Sequence, residues 1–361
     1  IRDSFRGASE PALVDETIDG LFRRIRDTYP DHEALVSRHQ QVRWSYREYD
    51  REIQRLATGL LALGIGPGDR VGIWSPNNYE WCLTQFATAR IGAILVCVNP
   101  AYRVFELEYA LNKSGCKAIV SAESFKSSHY LEMLQRLAPE LAECEPGQLR
   151  SAKLPYLRIV IRMGEESTPG MFNFPAVCNM GGDVDSGRLA EIGPSLSPMD
   201  VINIQFTSGT TGNPKGAALS HYNILNNANQ VAHGMRFTAN DRLCIPVPMY
   251  HCFGMVLGKL ACVTRGAAAI FPSDAFEPGA VLETVQAEHC TALHGVPTMF
   301  IAELEHRDFD RYDLSSLRTG IMAGAPCPVE VMKKVISRMH MSEVLIAYGQ
   351  TECSPVNHMT L

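Results

Sequence analysis

Short apolar runs and longer amphipathic stretches take turns along most of the chain, and this alternation restricts the fold more than any other property of the sequence. Arg70 to Trp74, Ile94 to Val98 and Ala118 to Ser121 read as strands. Tyr79 to Arg90 and Phe105 to Lys113, lying between them, read as helices. Ser45 occupies an N-cap position before an amphipathic stretch that runs to Leu63, with Leu56, Leu60 and Leu63 at helical spacing, and the turn Gly66 to Gly68 leads into the first of these strands. Strands separated by helices pair in parallel with the helices packed on the sheet faces, so the pattern predicts a doubly wound α/β sheet.

The rhythm weakens between about Glu143 and Asp200, where Pro, Gly, Ser and acidic residues dilute the apolar run Ile159 to Ile161; a variable surface excursion is expected there. It then returns. Ser220 caps a helix through Val231, Cys244 to Pro248 is a predicted strand, His251 to Val263 a helix and Ala268 to Phe271 a strand. Helices Ala280 to Glu288, Thr298 to His306 and Val329 to Met339 alternate with strands Thr291 to His294, Thr319 to Met322 and Glu343 to Tyr348, predicting a second α/β unit. No internal repeat or low-complexity tract interrupts the pattern.

Composition narrows the function classes. With 361 residues and 46% hydrophobic content the chain can bury a core of more than one subdomain. The net charge is -6 and no basic block stands out, which argues against nucleic acid as a partner and for small molecules bound locally. The eleven cysteines include no Cys-x-x-Cys, and Cys97, Cys116 and Cys262 lie in apolar runs, so buried free thiols and a reducing compartment are expected. No apolar run reaches the roughly 18 residues of a transmembrane helix. Homo-oligomerisation is left open.

Within this frame Thr207 to Gly216, Thr-Ser-Gly-Thr-Thr-Gly-Asn-Pro-Lys-Gly, follow the strand-like Val201 to Phe206. Gly209, Gly212 and Gly216 allow backbone N–H groups to approach an anion, Thr207, Ser208, Thr210 and Thr211 supply hydroxyls, and Lys215 supplies a positive charge. That is a phosphate-handling loop. In a Walker loop Gly directly precedes the Lys and Ser or Thr follows it, whereas here Pro214 precedes Lys215 and Gly216 follows. A solvated hairpin tip is the plain alternative. The Gly64 to Gly68 segment precedes a strand instead of following one and reads as a turn, not as a dinucleotide fingerprint.

Ligands of doubly wound sheets collect beyond the carboxyl ends of strands. Tyr348-Gly349-Gln350-Thr351-Glu352 follows one strand and brings together an aromatic face for a purine, a glycine for close approach, a hydroxyl and a carboxylate suited to magnesium. Gly324-Ala325-Pro326 follows another and leaves room for a flat ring, or is simply a turn. His251, beyond a third, is either a catalytic group or a satisfied core residue.

These elements, in this order, resemble the adenylate-forming superfamily. Tyr250 to Gly254, His294 to Phe300, Asn99 to Tyr102 and Glu106 to Tyr109 are similar to medium-chain fatty acyl-CoA synthetases of the mitochondrial family-member-two type and their bacterial relatives. The resemblance implies two stacked doubly wound α/β subdomains, approximately 56–235 and 1–55 plus 236–361, forming the AMP-binding large domain. It also implies ATP, Mg2+ and coenzyme A. Thr207, Ser208, Gly209, Thr210, Thr211, Gly212, Asn213, Pro214 and Lys215 would hold the β- and γ-phosphates; Tyr348, Gly349 and the Gly324-Ala325-Pro326 turn would hold adenine. Thr351 would touch the α-phosphate, Glu352 would bind the metal, His251 would position the carboxylate, and Gly295, Val296 and Gly324 would line an acyl tunnel. His251, Thr351, Glu352 and Lys215 are the expected catalytic group.

The resemblance further implies residues beyond Leu361: an Asp on the ribose, a hinge Arg and a C-terminal lid with its Lys. The 361 residues are therefore expected to be a truncated large domain without that lid, binding ATP weakly and turning over poorly alone. An aryl-acid adenylating ligase, or a non-catalytic nucleotide- or acyl-binding fragment, remain the alternatives. A phosphate-loop kinase or hydrolase would be separated by release of ADP instead of AMP. The bacterial likeness implies cytoplasm and the animal likeness the mitochondrial matrix.

Overall fold

The computed structural model describes residues 10–207 and 213–360. Among these, two large sheets are each crossed by helices. One has the strand order Lys215–Ser220, Val201–Thr207, Ile94–Cys97, Arg70–Trp74, Ala118–Ser121, Ile159–Arg162 and Phe172–Asn173, parallel throughout except for the antiparallel Lys215–Ser220 edge. The other runs Val356–Met359, Glu343–Gly349, Thr319–Ala323, Ala292–Gly295, Arg242–Cys244, Ala268–Phe271, Glu33–Ser37 and Val42–Ser45, with its two end strands antiparallel to their neighbours. The α/β expectation holds.

Local signals explain many of the boundaries. Ser45 and Glu48 form a reciprocal capping box at the start of helix Tyr46–Ala62, satisfying N–H groups that the first turn leaves without partners. Gly115 closes helix Val104–Ser114 in the left-handed conformation. Strand Arg242–Cys244 ends earlier than predicted, at the approach to Pro246 and Pro248, which have no N–H to give a ladder.

Two differences matter more. The segment expected as a surface excursion supplies the fully buried strand Ile159–Arg162, paired in parallel with Ala118–Ser121. Leu149, Leu154 and Leu157 ahead of it are also buried, and the turn residues that obscured the pattern lie around the strand rather than replacing it. The predicted helix His251 to Val263 begins at Phe253 as a π-helix, Phe253–Leu260, and tightens to an α-helix only over Ala261–Arg265. Apolar periodicity could not distinguish the two, because every residue of the π-helix is buried.

The core joins both sheets. Phe22, Tyr46, Tyr49 and Phe86 form one aromatic cluster. Beside it the buried Arg90 contacts Asp19 at 2.6 Å and Asp50 at 2.5 Å, tying helices Ile18–Thr28, Tyr46–Ala62 and Tyr79–Arg90 together. Lys259, also fully buried, donates to the Ala34 carbonyl at 2.8 Å and lies over the Tyr49 ring. All eleven cysteines are free, and Cys97, Cys116 and Cys262 are buried as expected. Among the described residues no helix is long and apolar enough to cross a membrane.

Candidate active site

Thr207 and Lys215 face each other as the last described pair of an antiparallel ladder. A Walker lysine would open a helix; Lys215 opens a strand, and its side chain is exposed. Asn213 is exposed and Pro214 half-buried. Ser208, Gly209, Thr210, Thr211 and Gly212 lie outside the described residues.

Strand Lys215–Ser220 packs against the turn Thr351–Cys353, bringing the strand that begins at Lys215 to the segment after Tyr348. Helix His221–Gly234 reinforces the junction. Asn227 donates to the Val356 carbonyl at 2.9 Å and accepts from the Val356 N–H at 3.1 Å.

Beyond the carboxyl ends of strands Thr319–Ala323 and Glu343–Gly349 lies a cavity of about 170 Å³. His251, Gly324, Tyr348, Gly349 and Thr351 converge on it, from three separate stretches of sequence. Its other walls include Phe253, Leu257, Ala323, Ala347 and Val356, which are apolar. Tyr348 is 60% exposed, leaving a ring face available to a flat ligand.

Two glycines are needed here. Gly324 has φ 85°, a left-handed conformation that turns the chain at the cavity edge. At Gly349 a Cβ would fall 2.1 Å from the Pro355 carbonyl oxygen, an atom that also accepts from the Gln350 N–H at 2.9 Å. The close approach expected at Gly349 is therefore made by the protein's own returning strand.

His251 Nδ1 accepts from the Phe253 N–H at 3.1 Å, which leaves Nε2–H as the ring's donor. Part of the residue is exposed at the cavity, yet the crowding around the ring lowers its pKa by desolvation. Cys252 Sγ lies 3.9 Å from Thr351 Oγ1, and burial pushes the thiol up to about 11, so it is protonated at neutral pH.

Glu352 is exposed on the 3-10 turn Thr351–Cys353. Among the described residues no group of three His, Cys, Asp or Glu side chains could hold a metal. The donor set fits magnesium, which takes one or two carboxylates and completes its shell with water and phosphate oxygens. Ala325 and Pro326 are exposed next to Gly324 and do not line the cavity. Neither do Gly295 and Val296: Gly295 is buried against the Phe300 ring, and Val296 packs behind Gly324.

A larger cavity of about 500 Å³ went unread in the sequence. Asn77, Asn99, Arg103, Lys126, Tyr250 and Asp274 are among the residues around it. Most of its wall follows the carboxyl ends of parallel strands, as Ser75 follows Arg70–Trp74, so the rule that located the first cavity could have located this one. Tyr250 and His251 connect the two.

The AMP-binding enzyme family matches residues 22–360. YngI of Bacillus subtilis (strain 168), named as a candidate acyl-CoA synthetase, is 50% identical over 344 residues, covering 95% of this chain and 62% of its own length. The mitochondrial medium-chain acyl-CoA ligase ACSF2 of Danio rerio is 45% identical over 352 residues, covering 97% of this chain and 58% of the relative. The chain thus spans about three-fifths of the length of these curated relatives. In fold it is similar to the anthranilate CoA ligase AuaEII, crystallised with anthranoyl-AMP, at a TM-score of 0.84 and 20% identity over 98% of this chain and 64% of that one.

Proposed function

The chain belongs to the AMP-binding enzyme family, and from that premise we propose that it serves ATP-dependent activation of a medium-chain fatty acid to acyl-AMP and then to acyl-CoA. The observation that carries the reading is the convergence of His251, Gly324, Tyr348 and Thr351 on one cavity beside the strand that begins at Lys215. The likeness to ACSF2 enzymes, named for medium-chain acyl-CoA ligation, supports the substrate class. The larger part of the first cavity's wall is apolar, which suits an alkyl chain. The division at residues near 55 and 235 belongs to the same proposal, supported by the separation of strands 70–220 from strands 33–45 and 242–359 into different sheets.

In the first half-reaction a carboxylate oxygen attacks the α-phosphorus and pyrophosphate leaves. No protein nucleophile is needed. Thr207 to Lys215 would hold the outer phosphates, Tyr348 and Gly324 would hold adenine on its two faces with Ala325 and Pro326 exposed beside it, and Thr351 would meet the α-phosphate. His251, through Nε2–H, would hold the carboxylate in line. Gly324 would border the acyl path, with Val296 packed behind it and Gly295 farther back against Phe300. Mg2+ held by Glu352 would neutralise phosphate oxygens. Catalysis then consists of alignment and fixed charge, which can together lower a barrier by several kcal/mol. In the second half-reaction the coenzyme A thiol displaces AMP, and Arg103 and Lys126 beside the larger cavity are cations suited to its phosphates. The compartment would be cytoplasm in a bacterium and mitochondrial matrix in an animal.

The test is co-crystallisation with 5′-O-(N-octanoylsulfamoyl)adenosine, a hydrolysis-resistant acyl-adenylate. We expect adenine between Tyr348 and Gly324, and, where turnover occurs with octanoate, AMP and pyrophosphate as products. ADP release, or ligand density away from this cavity, would exclude the proposal.

A further inference from the structure

We propose that His294, which lies outside the cavity wall, is the positioning residue that sets the spacing between the two sides of the adenylate cavity. On one side stand Phe253 and Leu257 of the π-helix, and on the other Ala323 and Gly324 at the end of a parallel strand. His294 is fully buried between them. Its Nε2 is 3.0 Å from the Leu257 carbonyl oxygen, and its Nδ1 accepts from the Ile321 N–H at 3.2 Å.

The partners fix the ring's tautomer. Ile321 offers only a donor, so Nδ1 is unprotonated and Nε2–H donates to Leu257. Each nitrogen thus holds one side of the cavity, and the rigid ring sets their separation. The Phe253 ring lies 5.3 Å from the imidazole, adding packing on the same helix.

The π-helix makes this bond available. An α-helix would direct the Ala261 N–H at the Leu257 carbonyl; here that N–H goes to Val256 and Gly258 instead. The Leu257 carbonyl, freed of its α-helical donor, accepts from His294 in strand Ala292–Gly295. Lost helical register and the imidazole bridge are two halves of one arrangement, and π-turns are frequent at functional sites.

The role rests on the proposed adenylate site, and the test separates the two. Affinity for 5′-O-(N-octanoylsulfamoyl)adenosine is measured by calorimetry for the wild-type chain, His294→Phe and His294→Gln, below their melting temperatures. Phe keeps the ring volume but makes neither bond; Gln can still donate to Leu257. We expect His294→Phe to bind about tenfold more weakly, in line with two buried groups left unpaired, and His294→Gln to recover most of the loss. Wild-type-like affinity in His294→Phe overturns the positioning role, as does a Gln variant no better than Phe, because packing alone would then account for the residue. Absence of binding by the folded wild-type chain overturns the adenylate site itself. Ring 15N shifts are read independently of any ligand: a neutral Nε2–H tautomer between pH 5.5 and 8 supports the bridge, and an Nδ1–H or charged ring refutes it.

Discussion

At the scale of single residues, the groups with most chemistry divide into those at the surface of the site and those sealed inside. Lys215, proposed for the phosphate-binding group, is of the first kind. It is exposed at the start of its strand, so Lys215→Ala should leave the melting temperature within the small range of surface substitutions while weakening ATP binding roughly tenfold. Unchanged affinity by calorimetry would remove it from the phosphate loop. Glu303 is of the second kind. It is fully buried, neither carboxylate oxygen has a hydrogen-bond partner among the described residues, and desolvation raises its pKa well above the ordinary value. Glu303→Met, of similar volume, should stabilise the fold at pH 7 by about 1–3 kcal/mol, the usual cost of an unsatisfied buried polar group. A lowered melting temperature would mean that Glu303 has a partner. Residue type made Lys215, Tyr348 and Thr351 legible as site candidates, because few structural needs place those groups after strands. His294 was not legible in that way, since a lone histidine in an apolar run has the same appearance whether it fills space or bridges two elements.

At the scale of elements, much of the architecture was readable and the exceptions share a cause. Helix Tyr46–Ala62 was found through Ser45, and strand Arg70–Trp74 through its own composition, because caps and apolar runs are local signals. Strand Ile159–Arg162 was missed because four buried residues among turn formers carry little periodicity. The π-helix was missed because its register is decided by where its carbonyls find donors. The helix trio around Arg90 gives a prediction at this level. Burial pushes Asp50 up, but the charge and hydrogen bond of Arg90, with those of Arg26, outweigh it and hold the carboxyl below the ordinary range. Arg90→Met should therefore leave Asp19 and Asp50 with only the more exposed Arg23 and Arg26 as partners and destabilise the protein by about 3 kcal/mol, the lower end for breaking a buried ion pair, measured by denaturant unfolding. A loss near zero would show that the helices pack without the ion pairs.

At the scale of the whole molecule, acid sensitivity follows from histidines held neutral inside. Burial lowers both His221 and His294 to about 4. Unfolded, they titrate near 6.5, so between about pH 6.5 and 4 the unfolded chain binds more protons and stability falls as pH falls. The unfolding free energy should decline through that window, and His221→Asn should flatten the decline; a variant with the wild-type slope would assign the effect elsewhere. What the sequence by itself determined is the set of local choices: alternating strands and helices, capped starts, and chemically able residues after strands. Those follow from periodicity and side-chain type, which act over a few positions. Only the tertiary structure decided that residues 251, 324 and 348 meet at one cavity with the strand that begins at Lys215 packed beside it, that Phe253–Leu260 takes π register and that His294 bonds to it. The physical reason is that sheet order, and the pairing of a carbonyl with a ring more than thirty residues away, depend on which surfaces bury each other best, a property of the packed chain and of no single segment.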